Sequence, residues 1–129
     1  MKLFLVLHFL FIFISNYSIS QEINCQGAVL RILNKTTNEK TYYTVPVSQT
    51  IELDNSNIVV HKCVKVEDEG KNEEVALITH KYNESLSSDN NFFGWIFKSS
   101  QYLNSPNNPL YDIKLQECLE EDPIFLKNN

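Results

Sequence analysis

The sequence predicts an all-β fold: a small antiparallel sandwich or open barrel of about seven strands, preceded by a signal peptide. Short runs rich in β-branched and aromatic residues alternate with polar turns about every eight to twelve residues, which is typical of such folds. No segment has an apolar period of helical length, so the crossover helices of a parallel sheet are not predicted. The predicted strands are residues 28–33, 41–45, 50–53, 58–66, 75–82, 92–97 and 110–117.

The first four strands are separated by residues that favour turns. Residues 34–39 (NKTTNE) contain side chains that hydrogen-bond to their own backbone. Pro46 marks the edge or the end of the second strand, because proline has no N–H group to donate to a neighbouring strand. Residues 54–57 (DNSN) then turn the chain into 58–66, the longest run in which apolar and polar residues alternate.

The later strands are separated by a charged loop at residues 67–72 and a polar connection at 83–91. The run FFGWIF at 92–97 is continuously apolar, which predicts a strand covered on both faces. The alternative is an exposed patch around Trp95 that contacts a partner. Residues 99–104 indicate one helical turn with a serine cap before the last strand.

The N-terminus carries the pattern of a secretory signal peptide. Lys2 supplies a positive start, residues 3–14 are almost wholly apolar, and residues 18–20 (SIS) form a small-x-small cleavage signal. The apolar run is shorter than the roughly twenty residues that span a bilayer, so no transmembrane segment is expected after cleavage. The predicted organisation is a signal peptide at 1–20, a flexible N-terminus at 21–27, a β-domain at 28–118 and a polar C-terminal tail at 119–129.

The composition argues against several classes of partner. The formal net charge is −5, whereas proteins that bind nucleic acid through its backbone need a basic face. Adhesion to anionic lipid headgroups needs clustered basic residues as well. The whole chain contains three glycines, which leaves no glycine-rich loop for phosphates. Neither nucleic acid nor a cofactor is therefore predicted.

The chain has three cysteines, Cys25, Cys63 and Cys118, and two of them are expected to pair in an oxidising compartment. Strand alternation places Cys63 in phase with His61, and Cys118 in phase with Lys114, so both cysteines are predicted on the more polar faces of their strands. If these strands are neighbours, a Cys63–Cys118 bridge needs no change of register. Cys25 then remains as a free thiol, an intermolecular bridge or a lipidation site.

No catalytic set and no metal site is predicted, but two alternatives use the histidines. His61 and His80, with Cys63 and Cys118, supply four side chains of the types that bind zinc, although a disulfide would consume both sulfurs. A serine hydrolase would use Ser99 or Ser100, His61 or His80, and Asp112, but the sequence contains neither a nucleophile elbow nor a glycine-built oxyanion loop. An envelope-associated hydrolase or a metal-binding protein that uses His61 or His80 is the alternative to a non-catalytic binding function.

Two stretches of the sequence together resemble a known family. The first is AVLRILNK at 28–35, followed by VPV at 45–47 and HKCV at 61–64; the second is FGWIFKSSQYLN at 93–104, which continues through PLYD to Cys118. This combination resembles the DUF2155 family, exported alphaproteobacterial proteins of unknown function, over most of 28–118. The resemblance implies a periplasmic protein of the Gram-negative envelope, supports the Cys63–Cys118 pairing and implies no activity.

The predicted function is a non-catalytic periplasmic binding or scaffolding domain of the envelope. The expected partner is an envelope protein or a cell-wall component. The loop between the last two predicted strands is polar and bounded by prolines, so it suits the display of a contact surface. The predicted contact residues are Trp95, Ser99, Ser100, Tyr102, Leu103, Asn104, Tyr111 and Asp112.

Overall fold

A computed structural model describes residues 2–4, 20–83, 91–100, 108–124 and the backbone of 126–128. Over these ranges the chain forms two antiparallel sheets packed face to face, which confirms the predicted all-β sandwich. The strands are β1 Gln21–Asn24, β2 Gly27–Asn34, β3 Glu39–Pro46, β4 Thr50–Glu52, β5 Ser56–Asp68, β6 Lys71–Tyr82, β7 Phe92–Phe97, β8 Tyr111–Leu119 and β9 Leu126–Asn128.

The two sheets differ in how their edges are built. In sheet A the order is β1-β5-β6-β7, and the short strand β4 also pairs with β5. β1 and β4 share one edge of β5, because β1 lies opposite residues 64–67 and β4 lies opposite residues 57–59. Sheet B has the order β8-β2-β3-β9. β7 and β8 therefore end their sheets within the described part of the chain.

The core lies between the sheets and follows from the pleat, which directs alternate side chains inward. Apolar side chains from both sheets are almost completely buried there, and each contributes about 1.5–3 kcal/mol relative to an exposed position. The largest fully buried apolar side chains are Leu30, Val45, Ile51, Ile58, Val60, Ile78, Ile113 and Leu115.

The predicted disulfide between Cys63 and Cys118 is confirmed, with 5.5 Å between the two Cα atoms. The predicted geometry was wrong, because the bridge joins β5 of sheet A to β8 of sheet B rather than two neighbours in one sheet. Both cysteines point into the core and are at most 1% exposed. The bond therefore connects the two sheets across the sandwich.

Two β-bulges explain why simple alternation placed the cysteines on the wrong faces. In β5, Val60 lies opposite Ile78, and Lys62 lies opposite Leu77, which is the neighbouring residue on β6. His61 is therefore the extra residue of the first bulge. In β8 the residues that pair with Leu30 and Val29 are 115 and 117, so residue 116 is extra. An extra residue reverses the inward and outward phase of everything that follows it.

Both ends of the predicted β-domain extend further than expected. Residues 21–27, predicted as a flexible N-terminus, contain β1 and begin β2, and the backbone N–H of Cys25 donates to the Cys63 carbonyl at 2.8 Å. In the predicted polar tail, β9 pairs with β3. Pro123 packs against Gly27 so closely that a Cβ atom added at Gly27 would overlap the proline ring.

Several sequence expectations fall outside the described residues. These are residues 84–90 of the polar connection, residues 101–107 of the expected helical turn, and all of the predicted signal peptide except residues 2–4 and Ser20. Residues 2–4 are helical and exposed, while Ser99 and Ser100 are not helical. Within the part of the chain that the structure describes, no helix has the length and apolar character required to cross a membrane.

Candidate functional site

Strand β7 exposes aromatic side chains on one side. Burial alternates along the strand: Ile96 points into the core and is 4% exposed, whereas Phe93 is 69% exposed and Trp95 is 36% exposed. The prediction that both faces of this strand are covered was therefore wrong. The alternative of an exposed patch around Trp95 agrees with the observed burial.

The exposed patch continues across the neighbouring strands on the outer side of sheet A. Residues that pair across antiparallel strands share a face, so the register defines its rows. One row contains Trp95, Leu77 and Lys62, and the row beside it contains Phe93 and Thr79. We call this surface the aromatic face, and its residues are His61, Lys62, Val75, Leu77, Thr79, Lys81, Phe93, Trp95 and Phe97.

The bulge in β5 places His61 at the margin of the aromatic face. Its Nε2 atom lies 2.9 Å from the Thr79 hydroxyl, and its ring lies 6.0 Å from the Phe93 ring at an interplanar angle of 72°. This is the edge-to-face geometry that aromatic rings favour. The imidazole and the Phe93 ring therefore form one connected and exposed aromatic surface.

The aromatic face carries positive charge although the chain as a whole is acidic. Lys62 and Lys81 are exposed on this face, and among the described residues neither forms an ion pair. By contrast, Lys98 at the end of β7 pairs with Glu74 at 2.5 Å. The face therefore combines aromatic rings with two exposed ammonium groups that have no ion-pair partner in the described part of the chain.

The predicted contact residues do not form one surface. Ser99 donates from its backbone N–H and its hydroxyl to the Glu73 carboxylate at one end of the sandwich, and Ser100 beside it is half-buried. Tyr111 is 7% exposed and packs in the core, and Asp112 lies on the outer side of sheet B.

Asp112 forms ion pairs there with Arg31 and Lys114, at 4.0 and 3.5 Å. Tyr102, Leu103 and Asn104 lie outside the described residues. Of the described members of the set, Trp95 alone belongs to the aromatic face. Sequence reasoning missed Phe93, the most exposed of its aromatic residues, although strand alternation places it in phase with Trp95.

His80 belongs to a buried polar cluster between the sheets. Its Nε2 atom lies 2.8 Å from the Ser56 hydroxyl, and its Nδ1 atom lies 3.2 Å from the side-chain nitrogen of Asn108. The Asn108 side-chain oxygen accepts the backbone N–H groups of Leu110 and Tyr111. The Asn108 amide must therefore donate to Nδ1, which leaves the proton of neutral His80 on Nε2 and directs it to Ser56.

This tautomer is the opposite of the one that activates a serine. A general base needs a free lone pair toward the hydroxyl, but here Nε2 carries the proton. Ser56, His80 and Asn108 are also at most 1% exposed, and burial lowers the pKa of His80 to about 4. The cluster satisfies buried polar groups and connects sheet A to the chain before β8.

The two histidines of the hydrolase and metal alternatives do not meet. His61 is on the outer face of sheet A, while His80 points into the core on the other side of the same sheet. The two sulfurs of the imagined zinc set are bonded to each other. Within the described ranges, no three His, Cys, Asp or Glu side chains are grouped so as to hold a metal ion.

Comparison with known proteins identifies a family. A family model described as "Uncharacterized protein conserved in bacteria (DUF2155)" matches residues 28–118, which include β3 to β7, all but one residue each of β2 and β8, both bulges and the disulfide. No curated protein and no solved structure matches the chain.

Proposed function

Because the chain belongs to the DUF2155 family of bacterial proteins, we propose that it is an exported, non-catalytic binding domain of the cell envelope. Its partner is an envelope protein that docks on the aromatic face. The observation that carries this proposal is the exposure of Phe93 and Trp95, at 69% and 36%, side by side on one strand.

The chemistry of the aromatic face supports a binding role. Interface cores are enriched in aromatic residues, and a few such anchors carry most of the binding energy. Covering a large exposed side chain such as Phe93 is worth about 1.5–3 kcal/mol. The sheet behind the face is rigid, since Leu77 and Thr79 belong to a strand paired on both sides. Little ordering cost therefore opposes docking there.

Two observations support export. The N-terminal residues have the pattern of a signal peptide, with Lys2 before an apolar run and a small-x-small site at 18–20. The Cys63–Cys118 disulfide suits an oxidising compartment such as the periplasm, because cytosolic thiols are kept reduced.

Site-specific photo-crosslinking in intact cells tests the proposal. A photoreactive phenylalanine is placed at Phe93 or, as a matched control, at Tyr42, which is 39% exposed on sheet B. We expect one discrete crosslinked protein from position 93 and none from position 42. The same products from both positions, or no product from position 93, would refute docking on the aromatic face. Co-sedimentation of the purified protein with peptidoglycan would instead identify a cell-wall component.

A further inference from the structure

A small cavity opens at the end of the sandwich where β2 ends and β8 begins. Its volume is about 180 Å³, below the roughly 300–1,000 Å³ of pockets that hold drug-sized ligands, so it admits only a group the size of one side chain. Three carboxylates line it, from Glu39 at the start of β3 and from Glu52 and Asp54 around the turn between β4 and β5.

Two tyrosine side chains also line this cavity. Tyr43 and Tyr111 are each only 7% exposed. Among the described residues neither hydroxyl has a hydrogen-bond partner, and neither oxygen is one of the fully buried polar atoms that lack a partner, which are Arg31 Nε and Tyr82 Oη. The two phenol oxygens are therefore open to the cavity, where a bound group can contact them.

Asp54 acts on both hydroxyls. Burial raises the pKa of Tyr43 and of Tyr111, and the negative charge of Asp54 raises both further. All three groups line the same cavity of about 180 Å³, so one bound group can contact all of them. Among the residues that the structure describes, no lysine or arginine lines the cavity, and Lys35 from the adjacent turn donates to the Asn108 carbonyl at 2.7 Å.

The remaining walls of the cavity are partly apolar. Ile32, which is 3% exposed, and half-buried Leu53 line it together with the polar residues Asn34 and Thr41. Within the described ranges, the carboxylates of this cavity are not grouped closely enough to hold a metal ion, because hard cations require several oxygen ligands at about 2–2.6 Å. An alkyl chain would gain about 0.8 kcal/mol for each methylene group that it buries.

We propose that this cavity binds the primary ammonium group of an alkyl amine. An ammonium has three donors, which match the two tyrosine oxygens and the Asp54 carboxylate, and its alkyl stem lies along Ile32 and Leu53. The ammonium comes from a free amine or from a lysine side chain of a partner protein. The site is separate from the aromatic face, so either proposal can fail without the other.

The test uses the full chain with its disulfide intact and measures the tyrosine ring signals by NMR during titration. The probes are n-pentylamine for a free amine and Nα-acetyl-lysine methylamide for a protein lysine. Their neutral matches are n-pentanol and Nα-acetyl-norleucine methylamide. We expect at least one amine to shift the Tyr43 and Tyr111 signals and to bind more tightly than its neutral match. The amine that binds more tightly identifies the source of the ammonium.

Two substitutions locate the site without disturbing its packing. Tyr43→Phe and Asp54→Asn should each weaken the binding of the amine by about tenfold, since each removes one polar contact to a charged group. Tyr42→Phe and Glu121→Gln are matched controls at exposed positions outside the cavity and should leave binding unchanged.

Equal binding of the neutral matches, or no effect of Tyr43→Phe and Asp54→Asn in chains with a native circular dichroism spectrum, would overturn the site. Tighter binding of guanidinium or Ca²⁺ than of either amine would overturn its assignment to an ammonium group.

Discussion

His80 is completely buried, and among the described residues its pKa is shifted furthest from the ordinary value of its side chain. An imidazolium at this position would lose hydration and would face the Asn108 amide, which donates to Nδ1. Desolvation therefore keeps the residue neutral and lowers its pKa from 6.5 to about 4. At the scale of single residues, the core tolerates a histidine because Ser56 and Asn108 satisfy both ring nitrogens.

The first prediction is that His80 makes stability fall with acidity between about pH 6.5 and pH 4. The unfolded chain binds a proton near pH 6.5 and the folded chain only near pH 4, so the unfolded state holds more protons in this window. Above pH 6.5, the contribution of His80 to the free energy of unfolding should be constant. As the pH falls from 6.5 to 4, this contribution should decrease by up to about 3 kcal/mol. Urea unfolding at half-unit pH steps measures the drop.

A variant without the titrating ring provides the control for this pH dependence. His80→Gln should abolish most of the slope between pH 4 and 6.5, whatever its effect on absolute stability. Glu74, whose pKa is lowered from 4.5, adds its own loss of stability only at the lower end of this window and below it, and it does so equally in both chains. An unchanged slope in His80→Gln would contradict the assignment.

The second prediction concerns Gly27, where the backbone of β2 contacts Pro123 of the C-terminal segment. A Cβ atom there would overlap the Pro123 ring and lie 2.9 Å from the Val45 carbonyl oxygen. Gly27→Ala should therefore reduce the free energy of unfolding by about 1–3 kcal/mol, the usual cost of overpacking. Chemical denaturation measures the loss. The same substitution in a Pro123→Ala background should cost less, and equal costs in both backgrounds would argue against this contact.

At the scale of elements, apolar patterning located most of the sheet. Runs at 28–33, 41–45, 58–66 and 75–82 all fall inside observed strands, because one face of each is buried and side-chain direction alternates along a strand. The alternation of apolar and polar residues is weaker in strands whose side chains are only partly buried. Residues 21–24 and 126–128 pair at sheet edges mainly through backbone hydrogen bonds, which do not require an apolar side-chain pattern.

The candidate site was only partly predictable for the same physical reason. Trp95 was singled out because large aromatic residues are conspicuous, yet a continuous apolar run does not reveal which face lacks a covering layer. The β-bulges at residues 61 and 116 also leave no reliable mark in the sequence. They turned Lys62 outward and both bridging cysteines inward, against simple alternation. The cavity beside Tyr43 depends on tertiary contacts that sequence alone does not specify.

The third prediction concerns Glu74, which connects the end of β7 to β8. Its carboxylate pairs with Lys98 at 2.5 Å and accepts the backbone N–H of Cys118 at 3.0 Å. Burial opposes the charge, but these two contacts and the charges of Lys98 and Lys65 together lower the pKa of Glu74. An acceptor supplied by a side chain also covers part of the open edge of β8.

Removing that acceptor should expose the Cys118 amide to solvent. Glu74→Ala is expected to accelerate hydrogen exchange at this amide by about tenfold or more and to cost about 1–3 kcal/mol, because a part-buried N–H loses its partner. Glu74→Gln keeps an acceptor oxygen and should preserve most of the protection. Lys98→Met removes an ion pair whose lysine is exposed but keeps the contact with the Cys118 amide, so it should cost less than Glu74→Ala. Equal exchange rates in Glu74→Ala and Glu74→Gln would rule out this role.

At the scale of the whole molecule, the fourth prediction is that the bond between the sheets supplies a large share of stability. Cys63 and Cys118 are 55 residues apart in sequence, and closing a loop of that length is worth about 4 kcal/mol in the chain-entropy model. Domains of this size are stable by about 5–15 kcal/mol. The Cys63→Ala, Cys118→Ala double variant should lose about 4 kcal/mol in guanidinium unfolding.

Cys25 provides the matched control, because it is a buried cysteine that forms no disulfide. Cys25→Ala removes one buried thiol and should cost less than the double variant, since it leaves the constraint on the unfolded chain unchanged. Thiol titration of the denatured, non-reduced protein should give one thiol in the parent chain, none in Cys25→Ala and three after reduction of the parent. Three thiols before reduction would mean that the sheets are held by packing alone, and the double variant should then be no less stable than Cys25→Ala.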